Sequence, residues 1–165
     1  MMSEDTERQA RLAQIAQIAV ALEKQTGCPA PLMIAQWAVE SRWGSQPCGH
    51  ANYFGMKKNS RDPESCTEPT TEVIDGKPVE EELQFADYDS LEDSCRDYAG
   101  LITTGEPYRA AWEQYSLDRN LNALIVAVAA TYATDPGYAA LVTLIANQSN
   151  VMRAIVAARR EALGV

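Results

Sequence analysis

From Glu4 to Thr26 the apolar residues Ala10, Leu12, Ile15, Ile18, Val20 and Leu22 recur mostly at helical spacing, and Gly27 follows as a stop signal. A first helix is predicted there. Pro29 and Pro31 restart the chain. Pro31 suits a first helical position, so Leu32 through Trp43 reads as a second helix that ends at Gly44 and carries Glu40 in its last turn. Between Gly44 and Ser90 the helical period is lost and Gly, Pro, Asn and Asp become frequent, a pattern of loops and strands. Within that stretch Thr70 to Ile74 and Val79 to Phe85 flank Asp75-Gly76, which can supply the positive backbone angles of a tight antiparallel hairpin. Ser90, with Asp93 three residues on, reads as a helix cap, and Leu91, Cys95, Tyr98, Leu101 and Ile102 continue one apolar face. Asp118 is read as the cap of a further helix holding Leu121, Leu124, Ile125 and Val128, and Asp135-Pro136 as cap and first-turn proline of the next. The predicted class is α+β, mainly α: one domain over residues 1–165, with a β-bearing insertion at about 45–89 and four or five helices after it.

The 165 residues suffice for one core that buries roughly 70% of the unfolded surface. With 14 Lys and Arg against 23 Asp and Glu the formal charge is −9, the wrong sign for neutralising phosphates, so nucleic acid is not an expected ligand. A neutral, hydroxyl-rich substrate such as a sugar stays open. The apolar stretch from Leu121 to Ala133 contains Asn122 and Thr131 and falls short of a membrane span. The first residues include Glu4, Asp5 and Glu7 and do not read as a secretory signal. Cys28, Cys48, Cys66 and Cys95 are scattered, with no C-x-x-C and with His50 as the one histidine, so neither a zinc site nor any other cofactor is called for. Two disulfides and buried free thiols account for the four cysteines equally well.

Glu40 stands in Ala-Gln-Trp-Ala-Val-Glu-Ser-Arg-Trp-Gly, residues 35–44, where helical spacing sets Trp37 and Trp43 beside it. A carboxyl against indole rings loses hydration, which disfavours its charged form and suits a general acid. The competing reading is a solvent-facing glutamate on an amphipathic helix. Asn52-Tyr53-Phe54-Gly55-Met56-Lys57 sets aromatic rings beside an amide, as a saccharide cleft wants, although a hydrophobic core uses aromatics at the same spacing.

Six ordered motifs now carry a resemblance: AQWAVESRWG at 35–44, NYFGMKK at 52–58, TTE at 70–72, FADYDS at 85–90, DY at 97–98 and YATDPGY at 132–138. Together they resemble the endo-β-N-acetylglucosaminidases of glycoside hydrolase family 73, which cut bacterial peptidoglycan. The resemblance implies a lysozyme-like fold, a helical lobe and a small β-hairpin lobe with a cleft between them. It implies that Glu40 is the catalytic acid, that Glu72 is the second acidic group, and that Tyr132 lines the reacting sugar subsite. Trp43, Asn52, Tyr53, Phe54 and Tyr138 become expected substrate contacts. Other readings stand beside these. Glu72 lies near Glu64, Glu68, Glu80, Glu81 and Glu82, a run typical of a solvated face. Tyr132 can be a core aromatic, His50 a loop hydrogen-bonder and Asp135 a helix cap.

The expected activity is cleavage of the β-1,4 bond between N-acetylglucosamine and N-acetylmuramic acid in peptidoglycan glycan strands. Lytic transglycosylase or muramidase action on the same substrate is the nearest alternative, and a non-catalytic glycan-binding module is the alternative of another class. The second group leaves two routes open: Glu72 as base for water, or attack by the substrate's own N-acetyl group. The protein is expected to be a monomer acting in the periplasm or cell wall. It would reach the wall with a secretory signal removed or, as a lysin or an antibacterial effector, by lysis or by a machine such as type VI secretion, and the effector reading entails a cognate immunity protein over the cleft.

Overall fold

The computed structural model describes residues 1–58 and 65–165, and of residues 65–68, 70, 81 and 82 the backbone alone. The sequence reading's acidic residue Glu64 and the side chain of Cys66 thus lie outside the described part. Helix α1 runs Glu4–Thr26, opened by the Ser3 hydroxyl accepting the Thr6 N–H and closed by Gly27 at φ 83°. Helix α2, Ala30–Glu40, is buried from Ala30 through Ala38 and is tied to α1 where the Ala30 N–H donates to Glu23 Oε1 at 3.0 Å. An antiparallel hairpin follows, β1 Ser65–Ile74 and β2 Lys77–Ala86, with Ile74 opposite Lys77. Asp75 at φ 51° and Gly76 at φ 74° supply the turn expected of that dipeptide. The strands extend beyond the expected spans, and residues 56–58 join β2 through Ala86 N to Met56 O and Lys58 N to Gln84 O, both 3.0 Å.

The remainder is helical: α3 Leu91–Thr104, a short 3-10 turn Glu106–Tyr108, α4 Arg109–Asp118, α5 Leu121–Tyr132, α6 Tyr138–Ala146 and α7 Ser149–Leu163. Helix α2 lies in the middle of the helical lobe, packed by α1, α3, α6 and α7, and its central position explains why almost none of its residues is polar. The mainly α, two-lobed outline matches the expected class.

Three local expectations are corrected. Helix α2 stops at Glu40, three residues short of Trp43, because Arg42, Trp43 and Gly44 all take left-handed angles of 48°, 59° and 78°. One local bond and two contacts from α1 hold that turn. Ser41 Oγ accepts the Gly44 N–H at 2.9 Å, Arg11 Nε of α1 donates to the Trp43 carbonyl at 2.9 Å, and the Arg8 guanidinium lies 3.9 Å over the Trp43 ring. The α5 cap is Asn120, whose side chain accepts the Ala123 N–H, while Asp118 ends α4 and accepts from Asn120 N. Asp135 accepts the Gly137 N–H at 2.8 Å in the turn that leads into α6, a capping job set one step ahead of the helix. Cys28 and Cys95 are buried free thiols, so the two-disulfide option does not apply to them. Burial pushes both thiols well above the ordinary range. Among the described residues no single helix is long and apolar enough to cross a membrane.

Candidate active site

Between the hairpin and the helical lobe lies an open cleft of about 590 Å³, with Glu40 and Tyr138 on its helical side, Thr71, Glu72 and Val73 on the hairpin side, and Tyr132, Thr134 and Asp135 along the α5–α6 connection. Glu40 reaches it because α2 ends there, so its side chain is the last helical one before the backbone turns away. It is half-buried. One carboxyl oxygen, Oε1, accepts the Tyr138 hydroxyl proton at 2.6 Å. The other, Oε2, faces Gly55, where a Cβ would stand 2.9 Å away. Burial raises the Glu40 pKa, and its prevailing effect is opposed by the Tyr138 hydrogen bond and assisted by the negative charge of Glu72.

Glu72 receives the opposite treatment. Thr134 Oγ1 donates to its Oε2 at 2.8 Å, and the Lys57 ammonium donates to Oε1 at 3.1 Å. These two hydrogen bonds, then the Lys57 charge, outweigh the small cost of burial and lower its pKa. Thr134 also accepts the Val73 N–H at 2.8 Å, so one hydroxyl ties the hairpin to the helical lobe. A cleft that shifts one carboxyl toward its protonated form and another toward its ionised form is equipped to give a proton at one point and stabilise positive charge or take a proton at another.

The expected aromatic contacts divide. Tyr138 and Tyr132 line the cleft with parallel rings, centroids 6.2 Å apart. The Tyr132 hydroxyl donates to the Phe54 carbonyl, which fixes the backbone just before Gly55. Trp43 does not enter the cleft; it meets Trp37 edge-on at 6.3 Å and is covered by Arg8 on the side of α1. Phe54 is completely buried, stacked on Tyr98 at 4.4 Å, and Tyr53 packs half-buried against the core. Asn52 is 1% exposed and serves as a hub. Its Nδ2 donates to the Met56 and Ala86 carbonyls, and its Oδ1 accepts from Phe54 N and Met56 N. Asn52 and Phe54 therefore support the cleft from within the core, and Trp43 and Tyr53, both half-buried, are not among the residues that line it. His50 is held by its backbone, donating to Asp87. The sequence reading passed over Lys57, Thr134 and the steric role of Gly55, although all three stand inside its motifs.

Two substitutions separate these roles. Asn52→Ala removes four side-chain hydrogen bonds to buried backbone and is expected to cost about 3 kcal/mol of stability, read by denaturant unfolding, with unchanged glycan affinity per folded molecule. Gly55→Ala puts a methyl against Glu40 Oε2 at a residue of φ 64°. Turnover is expected to fall on the order of tenfold with little change in KM, because the carboxyl must move off its position. A KM rise at constant kcat would contradict this.

A glucosaminidase family model, described as mannosyl-glycoprotein endo-beta-N-acetylglucosaminidase, matches residues 16–151. The peptidoglycan hydrolase FlgJ of Pseudomonas aeruginosa is 36% identical over 149 residues, 86% of this chain and 36% of FlgJ. A probable N-acetylmuramidase of Lactococcus lactis subsp. lactis is 30% identical over 152 residues, 88% of this chain and 34% of that protein. The chain thus spans about a third of the length of these curated relatives. Among solved structures, a peptidoglycan hydrolase mutant from Sphingomonas sp. A1 superposes with a TM-score of 0.75 at 25% identity, covering 90% of this chain and 99% of that one.

Proposed function

The chain belongs to the glucosaminidase family, and from that premise we propose that it is an endo-β-N-acetylglucosaminidase that hydrolyses the β-1,4 bond after N-acetylglucosamine in peptidoglycan. The observation that carries the reading is the pair of carboxyls in one cleft, Glu40 shifted up by burial and Glu72 shifted down by Thr134 and Lys57. In the reaction, protonated Glu40 gives its proton to the glycosidic oxygen as the bond to the anomeric carbon breaks. Positive charge then builds on that carbon, and the Glu72 carboxylate stabilises it and takes one proton from the water whose oxygen attacks. The water's oxygen ends on the sugar as a hydroxyl that keeps its second proton, the proton taken by Glu72 returns through solvent to Glu40, and Tyr132 and Tyr138 give the sugar an aromatic wall. No cofactor enters.

The sign of each shift fixes the pH profile. Activity is lost as pH rises through the raised Glu40 pKa, because the acid is spent, and lost as pH falls through the lowered Glu72 pKa, because the carboxylate is neutralised. The test digests purified peptidoglycan, reduces the products with borohydride and identifies the new ends by mass spectrometry. Reduced N-acetylglucosamine ends support the proposal. Reduced muramic ends would make the protein a muramidase, anhydro-muramic ends a transglycosylase, and no new ends a glycan-binding module. The anomer first released and the fate of N-deacetylated strands decide the role of Glu72: an inverted product, and cleavage without the N-acetyl group, mean a water-activating base. Action in the periplasm or wall, where peptidoglycan lies, is part of the same proposal, and so is action as a monomer. Use as an antibacterial effector delivered by type VI secretion, with an immunity protein seated in the cleft, is a further part of the proposal, and a neighbouring gene product that abolishes turnover is its test.

A further inference from the structure

Behind Glu40 the helical lobe holds a run of buried polar groups that the proposed chemistry does not use. Gln36, one helical turn before Glu40 on α2, is completely buried although it carries an amide. Its Nε2 donates to the Tyr138 hydroxyl oxygen at 3.0 Å, and its Oε1 accepts the Tyr98 hydroxyl proton. Tyr138 in turn donates to Glu40 Oε1 at 2.6 Å. The four groups form one directed line of protons from Tyr98 through Gln36 and Tyr138 to Glu40.

Such a line can in principle run either way. Reversed, Glu40 would donate from Oε1 to Tyr138, Tyr138 would donate to a flipped Gln36 amide, and that amide would donate to Tyr98. The Tyr98 proton would then need a new acceptor. Tyr98 is completely buried, its ring is stacked on Phe54, and among the described residues Gln36 is its one hydrogen-bond partner. A buried donor stripped of its acceptor is what folded proteins avoid. Tyr98 therefore fixes the amide, and the amide fixes the direction in which Tyr138 points its proton.

We infer that Tyr98 and Gln36 are positioning residues: by keeping Tyr138 a donor to Oε1, they confine the acidic proton of Glu40 to Oε2, the oxygen beside Gly55. Gly55 supplies the second half of the arrangement, since the space a Cβ would fill at that position is left to Oε2. Neither Tyr98 nor Gln36 lines the cleft, so both act through Tyr138. The inference rests on Glu40 being the acid.

The titratable groups that face Glu40 are Tyr138 from α6, Tyr132 from α5 and Glu72 from β1, the last paired with Lys57. Tyr98→Phe and Gln36→Met leave all of them in place. Tyr98→Phe removes one proton and keeps the stacked ring; Gln36→Met removes the amide at similar length. In each variant protonated Glu40 gains a competing arrangement, with its proton on Oε1 donated back to Tyr138. Two results are expected with soluble peptidoglycan fragments: kcat falls about 5-fold to 10-fold at unchanged KM, and the high-pH limb of the profile moves to higher pH. A loss of thermal stability with an unmoved limb overturns the inference, as does an unchanged kcat. Tyr98→Phe carries the test by itself if Gln36→Met does not fold. Glu40→Gln is measured alongside. Near-normal turnover there removes the acid itself, whereas an inactive Glu40→Gln beside a wild-type Tyr98→Phe profile removes only the positioning line.

Discussion

Glu40→Gln is expected to lower peptidoglycan turnover by about 10²-fold or more and to leave the melting temperature within a few degrees of wild type. The substitution keeps the shape of the side chain. Its carbonyl still accepts the Tyr138 hydroxyl proton, and its amide occupies the space beside Gly55, so the polar contacts behind the cleft survive. The proton for the leaving oxygen is lost. Because desolvation is the main cause of the raised Glu40 pKa, replacing it by a neutral amide also removes the burial cost of its charged form. The variant is therefore expected to be no less stable at high pH, where wild-type Glu40 must ionise in a half-buried position. Initial rates on purified peptidoglycan from pH 4 to pH 9 check both points: the residual activity should be low throughout and should lack a high-pH limb. A residual rate within tenfold of wild type would take Glu40 out of the acid role.

Glu72→Gln is expected to reduce kcat on the order of 10-fold to 10²-fold with a smaller change in KM. Two effects add. The anomeric centre loses the anion that stabilises it and accepts the water proton, and Lys57 loses its partner and leaves a bare ammonium in the cleft that repels the developing positive charge. The low-pH limb should disappear with the carboxylate whose ionisation it reports. Lys57→Met beside it separates the two effects. That variant keeps Glu72 but removes one cause of its lowered pKa, so the low-pH limb should move upward while the maximal rate stays within a few-fold. An unmoved limb in Lys57→Met would mean that Thr134 alone sets Glu72.

Local signals in the sequence were reliable where the determining physics is local. The Asp75-Gly76 turn, the Ser90 cap of α3 and the stop at Gly27 need only their own neighbours to be read. The end of α2 is a different case. Nothing between Ser41 and Gly44 announces three consecutive left-handed residues, since the turn is held by Arg8 and Arg11 from α1. The aromatics failed for a related reason: core and cleft both want rings at helical or loop spacing, and only the packed structure shows Phe54 spent on Tyr98 and Trp43 spent on Trp37. Glu40 was legible because its motif is specific. Its environment was not, because Tyr138 is 98 positions away and replaces the indole pair as the neighbour that matters. Gln36 stood in plain view four residues before Glu40, yet its partners lie 62 and 102 positions along the chain.

The hydroxyl of Thr134 joins two groups of the hairpin at once, the Glu72 carboxylate and the Val73 amide. Val73 stands opposite Pro78 in the strand register, and its N–H leaves the hairpin to reach the other lobe. Deuterium uptake at that single amide therefore times the parting of the two lobes, separately from any melting of the hairpin, whose own amides pair across the ladder. A bound glycan that holds the lobes apart should speed this exchange and one that draws them together should slow it, so one backbone proton reports how the wall polymer enters.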